Sequence, residues 1–185
     1  MNEYAALSRL IENLIRLGTV AEVDHGSLKD HRPPRLRVQS GELLTGWLPW
    51  ITFRAGADTE WDPPTVGEQV VLFSPSGQTT QGIVLTGLFS QHFPANADRA
   101  GLHRRSYSDG AVVEYDSQSH TLMATLPDGG KAQLTAPGGV SILGDVDISG
   151  LVTVSEDVIA AGISLVKHKH SGVESGPSST GAPIQ

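Results

Sequence analysis

Two histidines near the end of the chain, His168 and His170, form the pattern most capable of chemistry. In an extended strand, side chains two residues apart point to the same side, so the two imidazoles are expected to face together. Two imidazoles on one side make a bidentate grip for a metal ion. The alternative interpretation is a pair of surface histidines in a polar tail.

The number of ligands limits which metal such a pair could hold. One chain supplies too few nitrogens for a closed site, whereas three chains around a threefold axis would supply six. Six nitrogen ligands suit an octahedral transition metal such as iron or nickel. Zinc usually takes four ligands and fits this pattern less well.

Other polar residues give weaker signals. Asp145 and Asp147 share one face of a predicted strand and could bind an ion, although a solvated strand face is the favoured interpretation. Glu156 and Asp157 would point to opposite sides of a strand, and they predict a turn instead. The sequence has no G-x-S-x-G nucleophile motif and no glycine-rich phosphate loop. We therefore predict no catalytic residues and no enzymatic activity.

The composition excludes several classes of protein. The 185 residues carry 20 acidic and 13 basic side chains, a formal net charge of −7. A chain this acidic, with basic residues clustered at Arg32, Arg35 and Arg37, is a poor candidate for a general nucleic-acid binder. It contains no cysteine for disulfide or thiolate chemistry. Its N-terminus lacks the basic and apolar regions of a secretory signal, so no signal peptide is expected.

The elements that must position these residues begin with a helix. Residues 1–18 predict a short amphipathic helix, because apolar residues recur at the spacing of one helical face. These residues are Leu7, Leu10, Ile11 and Leu14. Gly18 stands where a helix stop is expected.

Residues 19–90 predict a small all-β domain. Short apolar stretches separated by turn residues indicate five strands, at 19–24, 35–39, 43–50, 69–73 and 82–89. Five short strands that hold most of the large aromatic residues predict a small closed barrel. Trp47, Trp50 and Phe53 are either a stacking platform for bases or sugars or part of the barrel core, and burial is favoured. Residues 91–106 predict a linker.

Residues 107–165 predict extended structure that a single chain cannot bury. Between Val140 and Val154 every second residue is Val, Ile or Gly, and the opposite parity is mostly polar. Ordering the backbone costs about 1–2 kcal/mol per residue, and one stripe of side chains worth about 1.5–3 kcal/mol each does not offset it. Identical chains wrapped around each other would bury the stripe and pair the open strand edges. The sequence therefore predicts a long intertwined oligomer.

Several short motifs occur in order along the chain. They are Gly18-Thr19-Val20-Ala21-Glu22-Val23-Asp24, Gly46-Trp47-Leu48-Pro49-Trp50, Val66-Gly67-Glu68-Gln69-Val70, Ser74-Pro75-Ser76-Gly77, Gly82-Ile83-Val84-Leu85, Asp109-Gly110-Ala111-Val112-Val113-Glu114-Tyr115-Asp116 and His168-Lys169-His170-Ser171-Gly172. Together, over essentially the whole chain, they resemble the phage baseplate assembly protein V family, the central spikes of contractile tails. Within that family, the resemblance points to the membrane-piercing spikes of R-type pyocins.

This resemblance implies a mainly β fold in three parts after the N-terminal helix. An OB-fold barrel would occupy residues 19–90, a trimeric intertwined β-helix residues 107–165, and a metal-capped apex residues 166–185. By the same likeness, His168 and His170 of three chains would together bind one iron per trimer.

The tip also departs from the family pattern. Family tips often carry Thr between the histidines and a second Gly after them, where this chain has Lys169 and Ser171. The ligand positions are kept, so the difference concerns the shape and charge of the tip.

The resemblance further implies a mechanical function. The homotrimer would sit at the tip of a phage-tail-like particle that is assembled in the cytoplasm and released from the cell. Its partners would be tail tube and baseplate proteins, and it would pierce the outer membrane of a target bacterium without binding nucleic acid. The alternative is a trimerised OB-fold module that binds oligosaccharide or single-stranded nucleic acid through Trp47, Trp50, Arg35 and Arg37.

Overall fold

The computed structural model describes residues 3–172 and Gly176. The chain divides into two compact units, Met1–Ala132 and Gln133–Gln185. Across the described residues, one N-terminal α-helix is followed by β-strands and short 3-10 turns, which confirms the predicted mainly β class. Among these residues no helix has the length and apolar character needed to cross a bilayer.

The helix ends earlier than predicted. Helix α1 spans Glu3–Leu14, and strand β1 follows at once over Ile15–Asp24. Gly18 therefore lies inside a strand, and the prediction that it stops the helix was wrong. A Cβ atom on Gly18 would lie 2.4 Å from Cγ1 of Val38 on the neighbouring strand. The close approach of the two strands, which is a tertiary requirement, explains this glycine.

We expect Gly18→Ala to lower the free energy of unfolding by about 1–3 kcal/mol, the usual cost of overpacking. Gly46→Ala is the matched control, because a Cβ atom there would meet nothing within 4 Å. Chemical denaturation of both variants measures the difference. Equal stabilities of the two variants would contradict the packing explanation.

Strand β1 organises a five-stranded antiparallel sheet in the order β3-β2-β1-β4-β5. The other strands are β2 (Arg35–Ser40), β3 (Leu43–Leu44), β4 (Gln69–Phe73) and β5 (Ile83–Leu88). The first half of β1 pairs with β4 and its second half pairs with β2. The five strands predicted from the sequence are present, although the predicted strand at 43–50 is regular only at its start.

The residues after β3 form hydrogen bonds with two strands that are not adjacent in the sheet. Leu48 and Leu36 exchange backbone hydrogen bonds of 2.8 and 2.9 Å, which joins this segment to β2. The N–H of Ile51 donates to the carbonyl of Val84 at 2.8 Å, which joins the same segment to β5. The segment thus contacts both β2 and β5.

The core of this sheet follows from strict alternation along the strands. On β2 and β4 every second residue is fully buried, as the period of a strand requires. The buried cluster consists of Val20, Leu36, Val38, Leu48, Val70, Leu72 and Val84.

The aromatic residues only partly follow the predicted burial. Trp50 is partly buried and packs against the core cluster. Trp47 is 40% exposed and Phe53 is 91% exposed, so the prediction that they belong to the core was wrong. Leu48 points inward, and its neighbour Trp47 is therefore directed to the opposite face.

A second antiparallel sheet contains β6 (Leu102–Ser106), β7 (Val112–Asp116) and β8 (Thr121–Thr125) in that order. Strand β6 lies in the segment 91–106 that was predicted to be a linker. Its sequence has too little apolar character to signal a strand.

Strand β6 pairs through its backbone with β7, and ion pairs add to this contact. The guanidinium of Arg104 pairs with Glu114 on β7 at 2.6 Å, and that of Arg105 pairs with Asp62 at 2.7 Å. Arg99, just before the strand, pairs with Asp116 at 2.7 Å and holds the pKa of that carboxyl well below its ordinary value. The strand is stabilised by acidic partners on other segments.

The described part of the second unit has little regular structure. It contains only the short strands β9 (Ile159–Ala160) and β10 (Ile163–Ser164). Residues 133–158 form no strand, and the Val/Ile stripe is exposed in the single chain, with Ile148 at 58%. The intertwined β-helix over 107–165 stays a prediction, since it requires further chains to bury this stripe.

Candidate metal centre

A tight β-hairpin precedes the two histidines. Strands β9 and β10 pair antiparallel, with Ile163 opposite Ala160. The two linking residues, Ala161 and Gly162, have φ angles of 49° and 84°. A two-residue hairpin with both linking residues at positive φ matches the twist of the flanking strands. The hairpin therefore returns the chain sharply just before the histidines.

A single carboxylate organises the end of this hairpin. Asp157 accepts hydrogen bonds from the Ser164 hydroxyl at 2.5 Å and from the Val166 N–H at 3.1 Å. The Ser164 oxygen in turn accepts the Lys167 N–H at 2.8 Å. The Ser164 hydrogen bond holds the pKa of Asp157 below its ordinary value, which favours the ionised acceptor. Sequence reasoning predicted only a turn at Asp157 and missed this role.

The backbone of that hairpin also contacts His168. Its Nδ1 atom lies 3.0 Å from the carbonyl oxygens of both Ser164 and Leu165. A carbonyl can only accept a hydrogen bond, so Nδ1 must carry the proton. In the neutral imidazole, the free electron pair then belongs to Nε2. This tautomer leaves Nε2 as the atom available to a metal.

The structure brings the two predicted ligands together. The rings of His168 and His170 have centroids 5.0 Å apart with an angle of 81° between their planes, and both side chains are exposed. Residues 165–167 form a turn, so the pair follows a bend and not the straight strand that the sequence predicted. The two imidazoles are therefore neighbours, and their use as a bidentate grip stays a prediction.

One chain does not complete a metal site in the described region. Residues 3–172 and 176 hold no group of three or more His, Cys, Asp or Glu side chains that could bind a metal ion. This applies equally to Asp145 and Asp147, which are exposed. Part of the predicted apex at 166–185 lies outside the described residues, namely 173–175 and 177–185.

The second candidate surface surrounds Trp47. The guanidinium groups of Arg35 and Arg37 lie 5.2 and 5.9 Å from the centre of its ring. Each arginine is also paired with a carboxylate, Arg35 with Asp24 at 3.1 Å and Arg37 with Glu22 at 2.8 Å. Asp24 also pairs with Arg32, so the three arginines share two carboxylates and their charge is only partly compensated.

Substitutions at the two tryptophans test which of the two side chains packs on the core. We expect Trp50→Ala to lower the free energy of unfolding by at least about 2 kcal/mol, because it removes a side chain packed on the core. We expect Trp47→Ala to cost less than Trp50→Ala, about 1–2 kcal/mol, because it removes two cation–π contacts worth about 0.5–1 kcal/mol each. Thermal and chemical denaturation measure both effects. A larger cost for Trp47→Ala than for Trp50→Ala would contradict the packing described above.

Comparisons with known proteins agree with the order of these features. Residues 16–89 match the model of the Type VI secretion system/phage-baseplate injector OB domain. Residues 162–183 match the GpV Apex motif, and this match includes both histidines.

A curated relative shares sequence over a large part of the chain. The Spike protein of Escherichia phage P2 is 36% identical over 135 residues, which are 73% of this chain. The matched region spans 60% of the length of that relative.

Proposed function

The chain belongs to the phage baseplate spike protein family, and on this premise we propose that it is the central spike of a contractile tail or bacteriocin particle. The family is structural and non-enzymatic, as the sequence predicted for this chain. The observation that carries the proposal is the presence of an injector OB domain and an apex motif in one chain, in that order. An R-type pyocin is the kind of particle that we propose.

The OB domain would attach the spike to its particle. We propose that residues 19–90 close into a barrel, which is supported by the hydrogen bonds of residues 48–51 to both β2 and β5. A closed barrel has no free strand edge and is therefore a rigid adaptor. Its partners would be the tail tube above it and the baseplate proteins around it.

The shaft would be an intertwined homotrimer over residues 107–165. The support for this proposal is the exposed Val/Ile stripe, which one chain leaves in water. Three copies would bury the stripe on a common axis and pair every strand edge with a neighbouring chain. Such a shaft resists bending, because interchain backbone hydrogen bonds run along its whole length.

The tip would be closed by a metal. His168 and His170 from each of three chains would supply six neutral imidazoles, and iron is the metal we propose. Bound there, the ion would cross-link the three chains at their ends and would do no redox or hydrolytic work. The free Nε2 of His168 and the 5.0 Å separation of the rings support this assignment.

Rigidity and a fastened tip together suit mechanical penetration. Sheath contraction would drive the narrow shaft through the outer membrane of the target bacterium. Chain ends are where fraying begins, so a metal cross-link at the ends protects the shaft when it is loaded. The particle would be assembled in the cytoplasm and would act outside the cell.

The experiment that tests this function measures native mass and metal content on one sample of the purified protein. Three chains carrying one iron would support the spike. A monomer, or a trimer that is free of metal although no chelator was used, would contradict it. The binding-module alternative would then be tested with oligosaccharide and single-stranded DNA, because exposed Trp47 is the feature that favours it.

A further inference from the structure

We propose that Asp157 and Ser164 are positioning residues for the metal tip, acting on His168 through the backbone of the hairpin. This inference rests on the proposed function, because it concerns how the same tip is prepared for its ion. The group formed by Asp157, the Ser164 hydroxyl and the N–H groups of Val166 and Lys167 is called the Asp157 clamp below.

The first step is the geometry of the clamp. One carboxylate accepts from Ser164 and Val166, and the Ser164 oxygen accepts from Lys167. Each oxygen accepts one of these three hydrogen bonds, at 2.5, 3.1 and 2.8 Å. These linked hydrogen bonds fix the backbone between Ser164 and Lys167, because all three would have to break before this segment could change conformation.

The second step connects the clamp to the ligand. The carbonyl groups that face Nδ1 of His168 belong to Ser164 and Leu165, inside the segment that the clamp fixes. The N–H of His168 also donates to the Ser164 carbonyl at 3.1 Å. The clamp therefore determines both the position of the ring and which of its nitrogens carries the proton.

The consequence for metal binding follows from general coordination chemistry. A histidine ligand whose second nitrogen donates to a carbonyl is held in one tautomer and one orientation, and loss of such a partner typically weakens metal binding by about 10–100-fold. Asp157 does not touch His168, so it has a positioning role only. Sequence spacing alone gives no hint of it, since Asp157 and Ser164 are seven residues apart.

The test uses the full chain after removal of metal. Two-bond proton–nitrogen NMR spectra of ¹⁵N-histidine-labelled protein report the tautomer of His168, whose signal is assigned with His168→Ala. We expect the Nδ1–H tautomer in the unsubstituted protein, and the Nε2–H tautomer as the major form in Asp157→Ala and Ser164→Ala. Ser164→Thr keeps the hydroxyl and should keep the Nδ1–H tautomer.

Binding of Fe²⁺ gives the second readout. Titration of the metal-free proteins under anaerobic conditions should show reduced affinity in Asp157→Ala and Ser164→Ala. The upper limit is the reduction of about 10–100-fold that is typical for loss of a direct partner, because both variants keep the backbone carbonyls that face His168. Asp128→Ala is the control, because this exposed carboxylate makes no hydrogen bond or ion pair within the described residues and is not a candidate ligand. It should bind Fe²⁺ as the unsubstituted protein does.

Failure of this proposal can be distinguished from failure of the proposed function. An unchanged His168 tautomer with unchanged Fe²⁺ affinity in both alanine variants would overturn the positioning role. If the unsubstituted protein takes up no Fe²⁺, the metal tip itself is wrong. The tautomer comparison, which needs no metal, would still decide whether the clamp holds His168.

Discussion

The double variant His168→Ala/His170→Ala is expected to lose all of its bound iron while three chains remain associated. Each chain contributes only this pair to the proposed site, and the described residues offer no third ligand from the same chain. Removing both imidazoles therefore leaves the ion without protein nitrogens. The shaft should persist, because in the proposed trimer its stability comes from burial of the stripe between Val140 and Val154 and not from the tip. The iron content measured by elemental analysis should fall from one ion per three chains to none.

The single variants and a distant control test whether iron binding requires these two histidines. His168→Ala and His170→Ala each leave three of six ligands, so both should bind iron more weakly than the unsubstituted protein. His103→Ala removes an exposed histidine of β6 and should leave the iron content unchanged. Iron retained by the double variant would show that the histidines are not the ligands. Dissociation of the double variant into single chains would show that the metal, and not the stripe, holds the oligomer together.

The strands of the five-stranded sheet could be predicted because their signal is local. Leu36 and Val38 alternate with polar neighbours on β2, as Val70 and Leu72 alternate with half-buried neighbours on β4, and each pattern is sufficient to place its strand. Gly18 shows the limit of this reasoning. Its role depends on Val38, twenty residues away in sequence, and no local pattern distinguishes such a glycine from a helix stop.

Strand β6 shows a second limit. Arg104 and Arg105 predict a polar linker from sequence. The structure pairs them with β7 through the backbone and with the acidic side chains of Glu114 and Asp62. Asp62 is remote in sequence from Arg105, whereas Glu114 lies on the next strand, ten residues after Arg104. A pattern search in one segment cannot detect a partner charge that only the fold brings close.

The proximity of the two histidines was predictable from the sequence, whereas their role as metal ligands stays a prediction. The H-x-H spacing alone indicated that His168 and His170 would lie together, and their rings are 5.0 Å apart. The tautomer of His168 could not be predicted, because it depends on the carbonyl of Ser164 and thus on a hairpin that begins at Ile159. Spacing can indicate that two histidines lie together, but which nitrogen of each carries the proton depends on the neighbours of that histidine in space.

Substitutions in the Val/Ile stripe of the proposed shaft are expected to have a large effect on the oligomeric state. The double variant Val146→Asp/Ile148→Asp should convert the trimer into single chains. Both side chains are more than half exposed in the isolated chain, at 58% each, so a protein that worked as a monomer would tolerate the change. In a trimer they would face the common axis. Lost apolar burial would then cost about 3–6 kcal/mol per chain, and crowding six carboxylates together would add to that cost.

The matched control places the same charges on the opposite parity. Ser149→Asp/Thr153→Asp adds two carboxylates per chain to the face predicted to be in water, and it should leave the trimer intact. Sedimentation velocity separates the 19.6 kDa chain from a particle of three times that mass. Equal masses for the two double variants would contradict an axis lined by the Val/Ile stripe. A trimer that is lost only in Val146→Asp/Ile148→Asp would place that stripe on the axis, because the two variants differ in the face that carries the charge.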